Sequence, residues 1–294
     1  MRVLVTGATG FVGGRVARAL ALEPGLAVTA TGRRDDPAIP GRYLAGDLAS
    51  EGFVSGLFAD TGFDAVVHMA ALVTRRTDPG AMPGLVRANV LATANLAAAA
   101  AASGCRIFIY ASSIAVYGSG RDAAIDESVA PAPDSPYGWS KLAGEQVAQA
   151  GGGGGMAVAC LRLAGIHGPG RESGAVAAML RAAMAGDAIT VSEPNSRFRF
   201  LFVDDVVLAV RCLLDADPAP SGVFNLAGAE AMTLAEMAER IRACAGSRSA
   251  IEHPAEEAPA RSEVLEIDRI RAATGFSPLP FDTHVGHMAD ELRG

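Results

Sequence analysis

The first twenty-two residues constrain the fold more than any other stretch. A short apolar run, Arg2–Val5, leads into Thr6-Gly7-Ala8-Thr9-Gly10-Phe11-Val12-Gly13, and a helical pattern over Val12–Leu22 follows. Each glycine in such a turn has its own task. The first permits a tight bend, the second lets backbone approach an anion, and the third lets the helix pack close on the strand. The helix N-terminus then offers free N–H groups to a pyrophosphate. In a chain with 34 glycines the spacing alone says little; its position between the first strand and first helix gives it weight. Gly7, Thr9, Gly10, Phe11, Val12 and Gly13 are therefore candidate dinucleotide-binding residues.

The alternation begun there continues. Ala27–Thr31, Ala65–His68, Ile107–Ala111 and Ala157–Leu161 read as further strands, and Val90–Ser103 and Lys141–Ala150 as helices. This βαβα order predicts an α/β fold of Rossmann type, a doubly wound parallel sheet over residues 1–165. Residues 166–294 read as a smaller α/β lobe for substrate, with 200–228 expected to pack back on the first domain. In that lobe Ala175–Ala185, Val206–Asp215 and Thr233–Ala245 read as helices, the last with a capping box from Thr233 to Glu236, and Arg199–Val203 as a strand.

Composition narrows the partners. Half of the 294 residues are apolar and 19% charged, which excludes intrinsic disorder. A net charge of −7 gives no footprint for nucleic acid. Cys105, Cys160, Cys212 and Cys244 lie far apart, without metal-ligand spacing, and read as thiols of a reducing compartment. The apolar run Ala97–Ala102 is too short to span a bilayer, and no secretory signal is legible. A cytoplasmic protein without membrane or nucleic-acid partners is expected.

The second predicted strand ends at Thr31-Gly32-Arg33-Arg34. An acid at such a place would bond the ribose hydroxyls of NAD; here stand a glycine and two guanidiniums suited to a 2′-phosphate. NADP is therefore favoured over NAD.

Lys141 is the only lysine among the 25 Lys and Arg residues. It closes Tyr137-Gly138-Trp139-Ser140-Lys141, whose i,i+4 spacing puts phenol and ammonium on one helix face. A free phenol, with a pKa of about 10, is a poor base at neutral pH. A nearby ammonium would lower that pKa and let Tyr137 exchange a proton with an alcohol while Lys141 holds ribose hydroxyls.

The Gly-x-x-Gly-x-x-Gly loop and the Tyr-x-x-x-Lys pair resemble the extended short-chain dehydrogenase/reductases, the NAD(P)-dependent nucleotide-sugar epimerase/dehydratase family, over nearly the whole chain. The resemblance implies that Asp47 and Leu48 lie beside adenine, that Met69, Ala70, Ala71 and Ala111 line the cofactor, and that Asn89 braces this region. It implies that Ser113, four residues before Tyr117, holds the reacting oxygen, with Ser112 satisfying backbone and His68 structural. Dehydratases of the family carry Asp-Glu directly after that serine; Ile114 and Ala115 stand here and cannot exchange protons. Catalysis is expected of Ser113, Tyr137 and Lys141, in a nucleotide-sugar epimerase working through hydride transfer and a keto intermediate. The alternatives are an NADPH-dependent carbonyl reductase and, less favoured, a non-catalytic dinucleotide sensor. The resemblance further implies a homodimer through Val90–Ser103 and Lys141–Ala150.

The signal weakens beyond Gly165. The family has Asn where Gly165 stands and Tyr at His167, which is open to a structural or a substrate-contacting reading. Its phosphate-gripping arginine falls nearest Phe198, between Arg197 and Arg199. Asp205 is expected to cap a helix, and Arg261 is a second candidate for a phosphate.

Overall fold

The computed structural model describes residues 1–35, 38–59, 62–74, 79–120, 123–254 and 260–293. The five apolar runs of the first half all become strands. In chain order the first half runs β1 (Arg2–Thr6), α1 (Phe11–Ala21), β2 (Ala27–Gly32), β3 (Arg42–Ala45), α2 (Glu51–Ala59) and β4 (Ala65–His68). Then come α3 (Met82–Leu85), a π-helical stretch (Val86–Leu91), α4 (Ala92–Ala102), β5 (Ile107–Ala111), α5 (Pro136–Ala150) and β6 (Ala157–Leu163).

The second half contributes β7 (Ile166–His167), α6 (Ala175–Ala185), β8 (Ile189–Thr190), β9 (Arg197–Phe198), β10 (Leu201–Phe202), α7 (Val203–Asp215) and β11 (Gly222–Leu226). It ends with β12 (Met232–Thr233), α8 (Leu234–Cys244), β13 (Ile251–Glu252), β14 (Ser262–Glu263), α9 (Asp268–Thr274) and α10 (Phe281–Arg293).

The large sheet has seven parallel strands in the order β11-β6-β5-β4-β1-β2-β3. The order of strand addition reverses between β1 and β4, so a crevice opens at their carboxyl ends. Alternate residues serve opposite faces. Val3, Val5, Ile107 and Ile109 pack into one core with Val16, Leu20, Val206 and Val210. Leu4, Val66, Phe108 and Tyr110 face the other, with Leu57, Leu96 and Ala100. Each such aliphatic side chain contributes about 1.5–3 kcal/mol by leaving water. Helices α1 and α7 pack together on the first face; α2, α4 and α5 share the second. A third cluster, including Leu180, Met237, Ile241 and Val285, joins α6, α8 and α10 into the smaller lobe. Residues 203–226 supply α7 and β11 to the large sheet and its helical layer.

Several boundaries differ from those expected. The helix anticipated at Val90–Ser103 begins at Met82, and a π-turn carries it through to Ala102. That run, with a mean hydropathy of 1.3, is long and apolar enough to cross a membrane by length and composition. Here Leu85, Asn89, Thr93 and Leu96 on it are buried, and it packs on α2 and α5. Helix α5 starts at Pro136, five residues before the expected point, because Ser135 caps it by accepting from the Gly138 N–H. Of the strand expected at Arg199–Val203 only β10 forms; β9 ends before it at Phe198, and Val203 already opens α7. Asp205 is accordingly no cap: it lies buried inside α7, accepting from the Leu279 N–H and pairing with His284. The Thr233–Glu236 capping box forms as expected.

Candidate active site

The turn after β1 is shaped by contacts that only glycine allows. Gly7 adopts φ +72°, and a Cβ there would lie 2.6 Å from the Ala70 nitrogen. A Cβ on Gly13 would meet the Gly7 carbonyl at 2.2 Å, so α1 starts directly against the turn. Gly7, Thr9 and Gly10 form one wall of a cavity of about 430 Å³ at the carboxyl ends of β1, β2 and β4. Arg33, Arg34, Asp47 and Leu48 stand at one end of it, and Met69, Ala70 and Ala71 along the side. A dinucleotide fits this site: its volume is that of a ligand cleft, and the α1 N-terminus opens beside the glycines.

Phe11, Val12, Gly13, Asn89, Ala111, Tyr137 and Lys141 do not line this cavity. Phe11 and Val12 belong to the first turn of α1, where Val12 packs on the core. Gly32, Gly46, Leu72, Gly84, Arg87 and Ala88 line it without having been singled out. Arg87 comes from the π-turn and pairs with Asp47 at 2.7 Å. That bond and one from the Ala49 N–H, the stronger of the two, hold the Asp47 carboxyl below its ordinary range. The legible sign of Arg87 was its spacing, two residues before Asn89 on one helix.

Asn89 joins this crevice to the helix of Tyr137. Its amide donates to the Leu72 carbonyl at 3.0 Å and to Ser140 Oγ at 2.9 Å, while Oδ1 accepts from the Leu72 N–H. Ser140 Oγ in turn donates to the Tyr137 carbonyl. A second chain has only one consistent set of proton positions. Thr93 Oγ1 donates to the Asn89 carbonyl, so it accepts from His68 Nε2–H at 3.0 Å. His68 Nδ1 then accepts from Thr6 Oγ1 at 2.7 Å, and Thr6 accepts from the Ala70 N–H. Burial, with a smaller contribution from Lys141, pulls His68 down to about 3 and keeps this tautomer neutral.

Tyr137 and Lys141 both lie on α5, one turn apart. Ser113 caps the short 3₁₀ turn Ile114–Tyr117, its Oγ accepting from the Ala115 N–H. Its hydroxyl also lies near enough to the Tyr137 phenol to favour the ionised form, so these two groups converge. In the protein alone, burial raises the Tyr137 phenol, and the nearby Ser113 hydroxyl opposes that rise. Lys141, only 1% exposed, stands with Nζ 4.3 Å from the centre of the Tyr110 ring. Burial pulls it from 10.5 down to about 7, against the pull of Glu145 upward.

Beneath α5 lies a buried charge network. Glu145 accepts from Arg162 at 2.9 and 2.8 Å and from Ser112 Oγ at 2.5 Å. Ser112 therefore serves this carboxylate and not backbone, a second correction. The Arg162 guanidinium covers the Tyr117 ring at 4.6 Å, and Tyr117 donates to Asn225 Oδ1. Glu145, four residues after Lys141, was the readable sign of this pairing.

In the smaller lobe the arginines are mostly committed elsewhere. Arg199 is buried and donates to the carbonyls of Gly228, Ala229 and Leu265 and to Glu266, which makes it a structural group. Arg261 pairs with Glu193 and Glu263 above the Phe198 ring. Arg197 is exposed on β9. His167 is enclosed among Phe200, Phe202, Phe281 and His284, and burial pulls it down to about 3.

Fold and crevice together define a dinucleotide-binding α/β enzyme with a serine, a tyrosine and a lysine gathered at the carboxyl edge of its sheet. Residues 3–227 match the model of the NAD dependent epimerase/dehydratase family. The chain belongs to that family and is an enzyme of the extended short-chain dehydrogenase/reductase type. It is 29% identical to a dTDP-glucose 4,6-dehydratase of Streptomyces niveus, over 95% of this chain and 88% of that protein. It is 28% identical to a UDP-glucose 4-epimerase of Mycolicibacterium smegmatis, over 95% and 94%. Among solved structures it resembles MoeE5 in complex with UDP-glucose and NAD, with a TM-score of 0.83, 29% identity and coverage of 100% and 99%.

Proposed function

We propose that this chain is a nucleotide-sugar epimerase that favours NADP, with Ser113, Tyr137 and Lys141 as its catalytic residues. The observation that carries the reading is the convergence of Ser113 on Tyr137, with Lys141 buried one helical turn away and the glycine-walled cavity tied to the same helix through Asn89. The loop glycines, Asp47, Leu48 and Met69–Ala71 would hold the dinucleotide, and Arg33 and Arg34 its 2′-phosphate. When bound, the dinucleotide takes up and returns a hydride. Tyr137 Oη moves the proton of the sugar hydroxyl that becomes a carbonyl, while Ser113 Oγ holds that oxygen in place. Epimerisation requires the keto sugar to turn over before the proton returns from the same phenol. Elimination of water would need a further acid and base, and Ile114 and Ala115 supply neither.

Net carbonyl reduction is the second reading. Two observations favour it: Arg199 is spent on backbone carbonyls, and burial holds the phenol protonated, the form that donates to a carbonyl. Turnover of UDP- and dTDP-sugars separates the two: epimerisation leaves the cofactor unchanged, whereas reduction consumes NADPH mole for mole. Tyr137→Phe should lower either activity by about 10²–10⁴-fold; full turnover by that variant would overturn the assignment. We further propose a cytoplasmic homodimer, supported by the exposed Val86, Leu91 and Trp139 on adjoining helices and by four free thiols.

A further inference from the structure

We propose that Tyr43 is a specificity-determining residue of the cofactor crevice, acting through the backbone that carries Arg33 and Arg34. The proposal rests on the NADP reading above. Strands β2 and β3 run parallel with Ala30 opposite Tyr43 and Gly32 opposite Ala45. Tyr43 thus extends along the strand face that Ala30 and Gly32 share. Its hydroxyl reaches the end of β2: a Cβ built on Gly32 would lie 2.5 Å from Tyr43 Oη and 3.1 Å from Thr9 Oγ1. The volume from which an acid would reach ribose hydroxyls is therefore filled by a phenol.

The same hydroxyl donates to the Arg34 carbonyl at 2.5 Å. One atom thus performs two tasks that point the same way. It excludes a carboxylate from position 32, and it fixes the peptide that follows Arg34, the second of two adjacent arginines that line the cavity. The carboxylate that does stand at this end, Asp47, is engaged by Arg87 and the Ala49 N–H. A ligand group bearing two negative charges, the 2′-phosphate, is what suits the surroundings so arranged. A bare pair of ribose hydroxyls would find donors there but no acceptor aimed from position 32.

The test is a fluorescence titration of the full chain with NADPH and with NADH. Wild type should bind NADPH more tightly. Tyr43→Phe keeps the ring and removes only the hydroxyl, so NADPH affinity should fall about three- to tenfold, the weight of one hydrogen bond, with NADH unchanged. Gly32→Ala adds only the Cβ that displaces Tyr43 Oη and should produce a similar loss. In the Tyr43→Phe background the same alanine should cost clearly less, since the atom it collides with is gone. A Tyr43→Phe protein that keeps its NADPH-to-NADH ratio overturns the proposal, whether both affinities hold or both fall together. A wild type that prefers NADH overturns the cofactor reading itself, and the role of Tyr43 falls with it.

Discussion

Replacing Lys141 with methionine should make the cofactor-free protein more stable while removing its activity. Lys141 is buried and titrates near 7, against 10.5 for an ordinary lysine. A folded-state value below the unfolded one means that the unfolded chain binds the proton more readily between those limits. At about 1.36 kcal/mol for each pH unit, holding Lys141 in the fold costs roughly 4 kcal/mol at pH 7. The cost is full below pH 7 and fades as pH rises towards about 10.5, so this group makes wild-type stability increase across that window. Methionine preserves the unbranched shape and carries no charge, but forfeits the contact with Tyr110, worth about 0.5–2 kcal/mol. The net gain is about 2–3 kcal/mol, or about 3–5 °C in melting temperature for a chain of this size. Thermal melts of cofactor-stripped protein at pH 6, 7.5 and 9 provide the assay. Lys141→Met should melt above wild type at pH 6, and its lead should shrink by more than half at pH 9. A variant that melts lower at pH 6, or a gap that does not narrow with pH, would show that burial is not what sets the charge of this lysine.

Other changes bear on the same helix. Arg162→Met leaves Glu145 as an unpaired buried carboxylate and should destabilise the fold by about 3–5 kcal/mol, while Arg162→Met with Glu145→Gln should recover part of it in urea denaturation. Gly144→Ala puts a Cβ 2.0 Å from Tyr110 Oη and 2.9 Å from the Asn89 carbonyl. It should cost at least about 1–3 kcal/mol by overpacking, and lower kcat through displacement of α5. Replacing Arg33 and Arg34 together with alanine should remove the preference for NADP, read as the ratio of kcat/KM for the two cofactors.

Local pattern made the sheet readable. Runs such as Ile107–Ala111 are apolar throughout because strands of a parallel sheet are covered on both faces. Edge strand β3 escaped because Arg42-Tyr43-Leu44-Ala45 is half exposed and lacks such a run. The glycine loop and Tyr137–Lys141 were legible since both are local spacings on single elements. Tyr43 was not, and Arg87 and Glu145 were legible only as spacings beside Asn89 and Lys141, because the importance of all three lies in what other strands and helices bring to them. The downward shift of Lys141 was hidden for the same reason: spacing gives proximity, but burial is a property of the whole fold. In the smaller lobe, two-residue strands such as β9 and β10 are held by pairing with distant segments, and no window of sequence announces them.

The chain from Ala70 through Thr6, His68 and Thr93 to Asn89 has a mechanical consequence. Through Asn89 and Ser140 it couples the turn beside the crevice to the helix of Tyr137 without a single formal charge. Salt cannot screen such a joint, and with His68 near 3 and hydroxyls elsewhere, no proton is gained or lost by it around neutrality. Lys141 meanwhile passes through its half-protonated point close by. The enzyme can therefore change the charge that governs its chemistry while the frame that aligns the reacting groups keeps its dimensions.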